Sequence, residues 1–302
     1  MRNTSLLLPM MVAHAPTIKI AEGWSIETNH NVKNSRESAS EGRRGVLHSM
    51  LLTASIIGSI PSSANSSNPK PRTASELQRI YDAGASGYDA VYTESIVSRV
   101  LDFSTLRTRL LERASGDVLE LGVGTGLNLS HYPSSDTTAS NPIITSYTGI
   151  DLSTKMMEQA IEKFKTNQVA SSLQALQKDN KVRFVIGDVN NLEGTFGGKG
   201  GIVTTKFDTI IDTFGLCVFP EPSKALAQAK KLLNPGGRIL LLEHQDSIIS
   251  KTLSPTRGIA DVSSTCRYDD NVRALVRGAG FEIISSKNLA GGFLVEVVAT
   301  SN

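Results

Sequence analysis

The sequence predicts an α/β fold in which a mostly parallel sheet carries helices on both faces. Short apolar strands alternate with helical patterns between residues 118 and 300. A glycine-rich turn follows the first of these strands, and acidic residues follow the next ones. In such sheets the carboxyl ends of parallel strands meet at one edge, where ligands bind. We therefore expect one ligand site at that edge.

The first seventy residues differ in composition from the rest of the chain. They are rich in Ser, Asn and Thr, and they hold three of the five histidines and the only tryptophan, Trp24. Their apolar patches, residues 6–12 and 46–60, are shorter than the roughly 20 residues that cross a bilayer but suit signal sequences. We predict that residues 1–70 are a targeting leader and linker, cleaved after Ala64, and that residues 71–302 form the folded domain.

The predicted leader also indicates the compartment in which the protein is located. Arg43 and Arg44 precede the second apolar patch, as in a twin-arginine signal. Two stacked signals resemble the bipartite leaders of algal plastid proteins. A plastid location with a transit peptide and thylakoid association is expected, and the alternatives are a mitochondrial presequence or an uncleaved membrane anchor.

Charge and cysteine content narrow the function classes. Residues 1–64 hold six basic and four acidic residues, so the remaining chain has 25 of each and is neutral. Neutrality speaks against a nucleic-acid substrate, which usually requires a basic surface. The two cysteines, Cys217 and Cys266, have no paired spacing, so neither a disulfide nor a metal site is expected. Cys217 is expected in the apolar core.

The elements follow in order along the chain. Apolar residues at helical spacing over residues 75–113, interrupted by Gly84 and Gly87, predict two helices with a hinge. Further helices are predicted near residues 153–169, with Ser153 as N-cap, and near 222–233 and 269–277. The last two strands, 281–289 and 293–300, should form a hairpin through residues 290–292. This order gives seven strands, parallel except for the last, and the polar insertions 133–142 and 192–205 should be surface loops.

The glycine-rich turn indicates a nucleoside ligand. Gly122, Gly124 and Gly126 follow the first strand, and glycine lets a ligand approach the main chain closely. The second strand ends in Asp151, which fits a carboxylate that binds ribose hydroxyls. Leu127 occupies the last small position of the dinucleotide fingerprint, which argues against an NAD(P) oxidoreductase.

Residues 120–126 resemble motif I of class I S-adenosylmethionine (SAM) dependent methyltransferases. Residues 149–153, 182–189, 207–215 and 234–244 match later segments of the same family, so the resemblance covers roughly residues 110–245. The chain is most similar to the ubiquinone/menaquinone-type branch (methyltransferase type 11), and residues 212–217 with 241–244 resemble an organellar methyltransferase-like subgroup. The resemblance implies a Rossmann-like sheet and S-adenosylmethionine as cofactor.

The resemblance also implies roles for individual residues. Asp151 would bind the ribose hydroxyls and Asp188 the adenine amino group, while either Asp212 or Thr213 would face the methionine part. The N-terminal helices, with Tyr88, Asp89 and Tyr92, would form a lid, although packing of aromatic residues explains this pattern equally well. The predicted cofactor-binding residues are Glu120, Gly122, Gly124, Gly126, Asp151, Leu152, Asp188, Val189, Asp212 and Thr213.

Methyl transfer depends more on positioning the acceptor against the methyl group than on a set of catalytic side chains. A base is required only where the acceptor must lose a proton, and His244 at the end of the fifth strand is the candidate base. The alternative is a hydrogen-bonded structural histidine. Residues 248–267, with few charges, should wall a pocket for a small, lipidic or quinone-like, membrane-derived acceptor. The alternative function is an organellar assembly factor that binds SAM without turnover.

Overall fold

The computed structural model describes residues 17–20, 24–28, 72–94, 96–134, 143–197, 205–245, 265, 266 and 271–301. The predicted cleavage region, the linker before residue 72 and the predicted pocket wall at 248–267, apart from residues 265 and 266, lie outside these ranges.

A single mixed sheet of nine strands organises the described residues. Its spatial order is β1-β2-β5-β4-β3-β6-β7-β9-β8. The strands are β1 (Thr17–Ile20), β2 (Trp24–Thr28), β3 (Gly116–Leu121), β4 (Ile144–Asp151), β5 (Val182–Ile186), β6 (Phe207–Thr213), β7 (Leu233–His244), β8 (Glu282–Leu289) and β9 (Leu294–Thr300).

The seven strands β3 to β9 confirm the predicted sheet. The central strands β5, β4, β3, β6 and β7 pair in parallel, and β9 lies antiparallel between β7 and β8. The pair β1 and β2 was not predicted, because it falls in the segment assigned to the leader. β2 pairs in parallel with the edge of β5, and main-chain hydrogen bonding at a sheet edge requires little from the sequence.

Nine α-helices surround the sheet in the described residues. They are α1 (Ala74–Gly84), α2 (Tyr88–Glu94), α3 (Ile96–Val100), α4 (Phe103–Leu111), α5 (Thr154–Lys165), α6 (Ser171–Lys178), α7 (Leu192–Phe196), α8 (Pro222–Leu232) and α9 (Val272–Gly278). A 3-10 turn, Ala85–Gly87, lies where the hinge was predicted, but the four helices α1 to α4 form here and not the two that were predicted over residues 75–113. The Ser153 side chain caps α5 as predicted. The insertion at 192–205 begins as α7 rather than as a loop, because Leu192 and Phe196 are buried.

Apolar side chains fill both faces of the sheet. Leu119 belongs to the cluster that packs under α7, α8 and α9, whereas its neighbour Val118 belongs to the cluster under α4, α5 and α6. This alternation reflects the two-residue period of a strand. It continues along β6, where Ile210 and Ile211 lie in opposite clusters.

No helix among the described residues has the length and apolar character needed to cross a membrane.

Candidate functional site

A cleft of about 710 Å³ opens at the carboxyl ends of the central strands. The turns after β3, β5 and β6 and the end of β4 supply its walls, and residues of α1 and α2 cover one side. A smaller and more polar cavity of about 280 Å³ adjoins it along the glycine-rich turn. The ligand edge that the sequence predicts is therefore a real concavity.

Gly122 and Gly124 give the cleft a wall without side chains. Their φ angles are +58° and +57°, a conformation that favours glycine, and both residues line the cleft. A Cβ atom on Gly122 would come within 3.3 Å of the Phe219 ring. Gly126 was also predicted to bind the cofactor, but it lines neither cavity. A Cβ atom on Gly126 would overlap Leu129, which lies beside α5.

Asp151 ends β4 with both carboxylate oxygens on the cleft side of the glycine turn. Oδ2 accepts a hydrogen bond from the Gly124 amide and Oδ1 from the Ser153 amide, each at 2.8 Å. Burial raises its pKa to about 6, and the nearby Asp82 charge adds to the increase. Each oxygen keeps a second lone pair, so the group can accept further hydrogen bonds from a ligand.

The turn after β5 places a second carboxylate on the same cleft. Asp188 Oδ1 accepts from the Asn190 amide at 2.8 Å and so caps the 3-10 turn Val189–Asn191. Asp188 and Val189 line the cleft together with Leu152 and Met156. Apolar side chains beside a carboxylate suit a flat ring that carries an amino group.

Glu120, at the end of β3, lines the smaller cavity and not the larger cleft. Its Oε2 accepts from the hydroxyls of Tyr132 and Tyr147 at 2.8 Å, and its Oε1 accepts from Asn128 Nδ2 at 3.0 Å. Burial raises the pKa of Glu120, while the three donors favour the charged form. The residue thus braces the floor of the turn.

Arg107 of α4 is a residue that the sequence reasoning missed. Its buried guanidinium lines the smaller cavity, and Nη1 donates to Asn128 Oδ1 at 2.5 Å and to Thr213 Oγ1 at 2.7 Å. It lies 5.0 Å from the centre of the Phe214 ring. A buried cation requires acceptors around it, and these come from segments far away in sequence. An arginine in a helical pattern gives no signal of this.

The structure distinguishes between the two candidate residues at the end of β6. Thr213 lines both cavities, whereas Asp212 is fully buried and lines neither. Asp212 lies beside Glu243, and burial raises the pKa of Asp212 to about 7 and that of Glu243 well above its usual value. Neighbouring strand residues point to opposite sides, so only one of the pair could reach the cleft.

His244 lies behind the wall of the cleft and not in it. Its ring packs 4.9 Å from Phe214 and 5.0 Å from Phe293, and burial lowers its pKa to about 3. An imidazole that resists protonation and does not line the cleft is poorly suited to take a proton from an acceptor. The placement therefore argues against His244 as the general base.

The expectation of no disulfide is wrong. Cys217 and Cys266 form one across 49 residues, with their Cα atoms 4.9 Å apart, and both sulfurs lie beside His244. The spacing of the two cysteines along the chain did not predict that they would lie close together. Cys217 is buried, as predicted, but it is not a lone apolar side chain.

The first two helices are fastened to the rim of the cleft. Asp82 Oδ1 accepts from Ser153 Oγ at 2.6 Å and from the Lys155 amide at 3.1 Å. Asp89 accepts from the Thr125 hydroxyl and pairs with Lys163 at 2.7 Å. Tyr81 and Tyr88 line the cleft, in the place expected of a lid.

Comparison with known proteins identifies the family. The model of the methyltransferase domain family matches residues 95–286, which is more than half of the chain. The chain belongs to the class I SAM-dependent methyltransferases. It is 31% identical over 232 residues to the mitochondrial methyltransferase OMS1 of Saccharomyces cerevisiae, a match that covers 74% of this chain and 46% of that protein.

Two further proteins place this methyltransferase among relatives. It is 33% identical over 110 residues to the ubiquinone/menaquinone biosynthesis C-methyltransferase UbiE of Pseudoalteromonas translucida, covering 29% of this chain and 44% of UbiE. The magnesium protoporphyrin IX methyltransferase of Synechocystis, solved with S-adenosylhomocysteine (SAH), shares the fold with a TM-score of 0.51 at 16% identity, covering 76% of this chain and 99% of that one. The chain spans about half the length of OMS1 and of UbiE.

S-adenosylmethionine is the cofactor of this family, and the methyltransferase has residues that fit it. Two carboxylates, a bare glycine wall and a neighbouring buried guanidinium match the chemistry of a ribose, an adenine amino group and an amino-acid end.

Proposed function

We propose that this methyltransferase moves a methyl group from S-adenosylmethionine to a small, apolar, lipid-like or quinone-like acceptor. The observation that carries the proposal is a single cleft in which Asp151 and Asp188 lie beside aromatic side chains and whose described lining holds no lysine or arginine. The carboxylates favour the nucleoside of the cofactor, and the wall favours an apolar acceptor.

The cofactor is proposed to lie along the strand ends. Asp151 would accept hydrogen bonds from the two ribose hydroxyls, Asp188 would accept from the adenine amino group, and Leu152 and Val189 would flank the ring. When bound, S-adenosylmethionine supplies a methyl group already activated by its sulfonium.

Arg107 is proposed to bind the carboxylate at the methionine end of the cofactor. It is the one cation that lines either cavity among the described residues, and Thr213, its hydrogen-bond partner, borders both cavities. A guanidinium forms strong charge-assisted hydrogen bonds to carboxylates. Asn128 and Thr213 hold the guanidinium in place before the ligand arrives.

The rest of the cleft supports an apolar acceptor. Tyr81, Tyr88, Phe214 and Phe219 line it, and its described lining holds no lysine or arginine. A phosphorylated acceptor would leave its charge unpaired there. Among the relatives, UbiE is named for ubiquinone and menaquinone biosynthesis, which supports a quinone-like ring.

The cleft is expected to act by positioning. Its described lining offers no imidazole, thiol or amine as a general base, and burial raises the pKa of Tyr88 well above its usual value. The acceptor should therefore present an atom that is nucleophilic without help, such as an amine or an acidic phenol. The cleft would align that atom with the methyl group and exclude water.

The test is a transfer assay with S-adenosylmethionine labelled on the methyl group. The full chain is incubated with a lysate of cells that lack the protein, and label is then measured separately in the organic phase, the nucleic acid and the protein. We expect label in an apolar product with the wild-type chain and none with Asp151→Asn. Label found only in nucleic acid or protein would overturn the proposed acceptor class.

Cofactor binding without turnover is the second candidate function. No imidazole, thiol or amine lines the described part of the cleft, and its two carboxylates are assigned to the cofactor, which favours this function because a chain that only binds S-adenosylmethionine needs no base. This function predicts tight binding of SAH in calorimetry and no labelled product in any fraction of the transfer assay.

A mitochondrial location is proposed in place of the plastid one. The yeast relative is named as a mitochondrial protein, and no finding supports a plastid. Residues 1–70 fused to a fluorescent protein should direct it to mitochondria. Accumulation in plastids of a plant host, with none in mitochondria, would restore the plastid assignment.

A further inference from the structure

We propose that Cys217, Cys266 and His244 form a redox-sensitive metal site, which binds one thiophilic divalent cation such as Zn²⁺ when the two cysteines are reduced. The disulfide seen in the structure is then the oxidised, metal-free form of the same three-residue cluster.

The distances from the imidazole to the two sulfurs fit a single ion, and the sulfurs, which are bonded to each other here, would separate on reduction to bind it. His244 Nδ1 lies 3.4 Å from Cys266 Sγ and 3.8 Å from Cys217 Sγ. Around a tetrahedral Zn²⁺ a sulfur and a nitrogen ligand are about 3.6 Å apart, given the usual bond lengths. The imidazole nitrogen thus faces both sulfurs at the separation that a shared ion requires, which a disulfide alone does not demand.

Three separate parts of the fold supply the ligands. His244 ends β7, Cys217 lies in the turn after β6, and the adjacent Thr265 ties Cys266 to α1 through a 3.0 Å hydrogen bond with Tyr81. Phe214 and Phe293 hold the imidazole ring between them. A site assembled in this way exists only in the folded chain, so metal binding should stabilise the fold.

The site lies next to the cofactor cleft without being part of it. Phe214 lines the cleft and packs against His244 on the other side, while His244 and both cysteines are absent from the lining. Two thiolates and one imidazole leave one position of a tetrahedral ion for water or another ligand. Such a ligand set favours Zn²⁺ over Mg²⁺ or Ca²⁺.

Reduction of the disulfide and binding of the ion account for every electron and proton. A dithiol reductant gives two electrons and two protons to the disulfide and becomes a disulfide itself, which leaves two free thiols. Zn²⁺ then binds both sulfurs as thiolates and the neutral imidazole, and two protons pass to solvent. In the reverse direction a small-molecule disulfide takes two electrons from the two thiolates and two protons from solvent to become two thiols, which re-forms the protein disulfide and releases the ion.

The test uses the full chain, reduced or oxidised, titrated with Zn²⁺ against a colorimetric chelator. We expect one ion per reduced chain, none per oxidised chain, and protection of both cysteines from alkylation by bound Zn²⁺. Cys217→Ser, Cys266→Ser and His244→Asn should each weaken binding by about 100-fold or more, because a lost ligand costs more than the 10- to 100-fold typical of outer partners. His131→Asn is the matched control, since His131 instead bonds the Thr108 hydroxyl.

Folding of each protein is followed by its thermal unfolding transition, so that a loss of metal is not mistaken for a loss of fold. A folded, reduced chain with two alkylatable thiols and no bound Zn²⁺ would leave only a structural disulfide. Equal Zn²⁺ affinity in the His244 variant, or a reduced chain that does not fold, would also overturn the proposal.

Discussion

Asp151 contacts the glycine turn and lines the cleft through one carboxylate. Its oxygens already accept the amides of Gly124 and Ser153, so they are fixed in position before a cofactor binds. The pKa of about 6 reflects the cost of burying this charge next to Asp82. Cofactor binding and protonation of Asp151 should therefore be coupled.

Replacing Asp151 by Asn should weaken SAH binding by roughly 10- to 100-fold, because one or two charge-assisted hydrogen bonds are lost. The variant keeps the shape of the side chain and an oxygen for one of the two amides, while its own amide group would face the other. Isothermal calorimetry measures the change. Asp117→Asn is the control, since Asp117 lies at the other end of the sheet and accepts from Thr145 and Ser146. Equal affinity of wild type and the Asp151 variant would remove the residue from the site.

The proposed role of Arg107 can be tested by comparing ligands with and without the amino-acid end of the cofactor. Arg107→Met should weaken SAH binding by roughly 10- to 100-fold, while binding of 5′-methylthioadenosine, which lacks the amino-acid end, should change little. Competition binding with both ligands gives the two ratios. If both affinities fell together, Arg107 would serve only to position Asn128 and Thr213.

The sequence located some of these residues and missed others for physical reasons. Asp151 was predictable because a strand, a glycine turn and a second strand fix where it must lie. The choice between Asp212 and Thr213 depended on which side of β6 faces the cleft, and a strand buried on both faces gives no polar alternation to show it. Arg107 and the cysteine pair depend on contacts between residues distant in the chain.

At the scale of elements, α1 and α2 are held to the cleft by two aspartates. Asp89 links α2 to both the glycine turn, through Thr125, and α5, through Lys163. The 3-10 turn Ala85–Gly87 lies between the two helices, and a change in its backbone angles would move one helix relative to the other. Retention of the cofactor should depend on these contacts.

Asp89→Ala should speed dissociation of SAH by about 3- to 10-fold, since one ion pair and one hydrogen bond that hold α2 are lost. Stopped-flow displacement gives the rate, and hydrogen exchange should rise in α1 and α2. Glu112→Ala, at the exposed end of α4, is the control. An unchanged dissociation rate would mean that α2 does not act as a lid.

The edge strands β1 and β2 fall in the predicted leader, so we ask separately whether the folded domain needs them. They add to β5 outside the seven strands that carry the cleft. We expect a chain that begins at residue 71 to fold and to bind SAH within about twofold of the full chain, since each protein ligand of the cleft lies later. Calorimetry on both chains decides this, and loss of binding in the shorter chain would make the leader part of the domain.

At the scale of the whole molecule, burial of Asp212 and Glu243 should govern how stability depends on pH. Their folded-state pKa values lie above those of an unfolded chain, so the folded state holds more protons. The free energy of unfolding should therefore fall as pH rises through about 7. Below the unfolded value near 4, both states are protonated and the effect disappears.

Asp212→Asn should remove much of this dependence. Between pH 6 and pH 8 the variant should lose less stability than wild type, by roughly 1–3 kcal/mol, because its amide cannot ionise and can donate to Glu243. Urea unfolding at the two pH values measures the difference. Glu158→Gln, at a surface ion pair with Lys155, should match wild type. A dependence unchanged in the Asp212 variant would show that the pair does not control it.

We expect this cleft to bind S-adenosylmethionine through an ionised Asp151. The most direct measurement is calorimetric titration of the full chain with SAH across pH 5 to 8 in buffers of different ionisation enthalpy. The account predicts one site per chain, release of a proton on binding near pH 6, and affinity that falls as pH drops below about 6. Binding of NAD and not of SAH, or SAH affinity that ignores pH and Asp151→Asn alike, would contradict it.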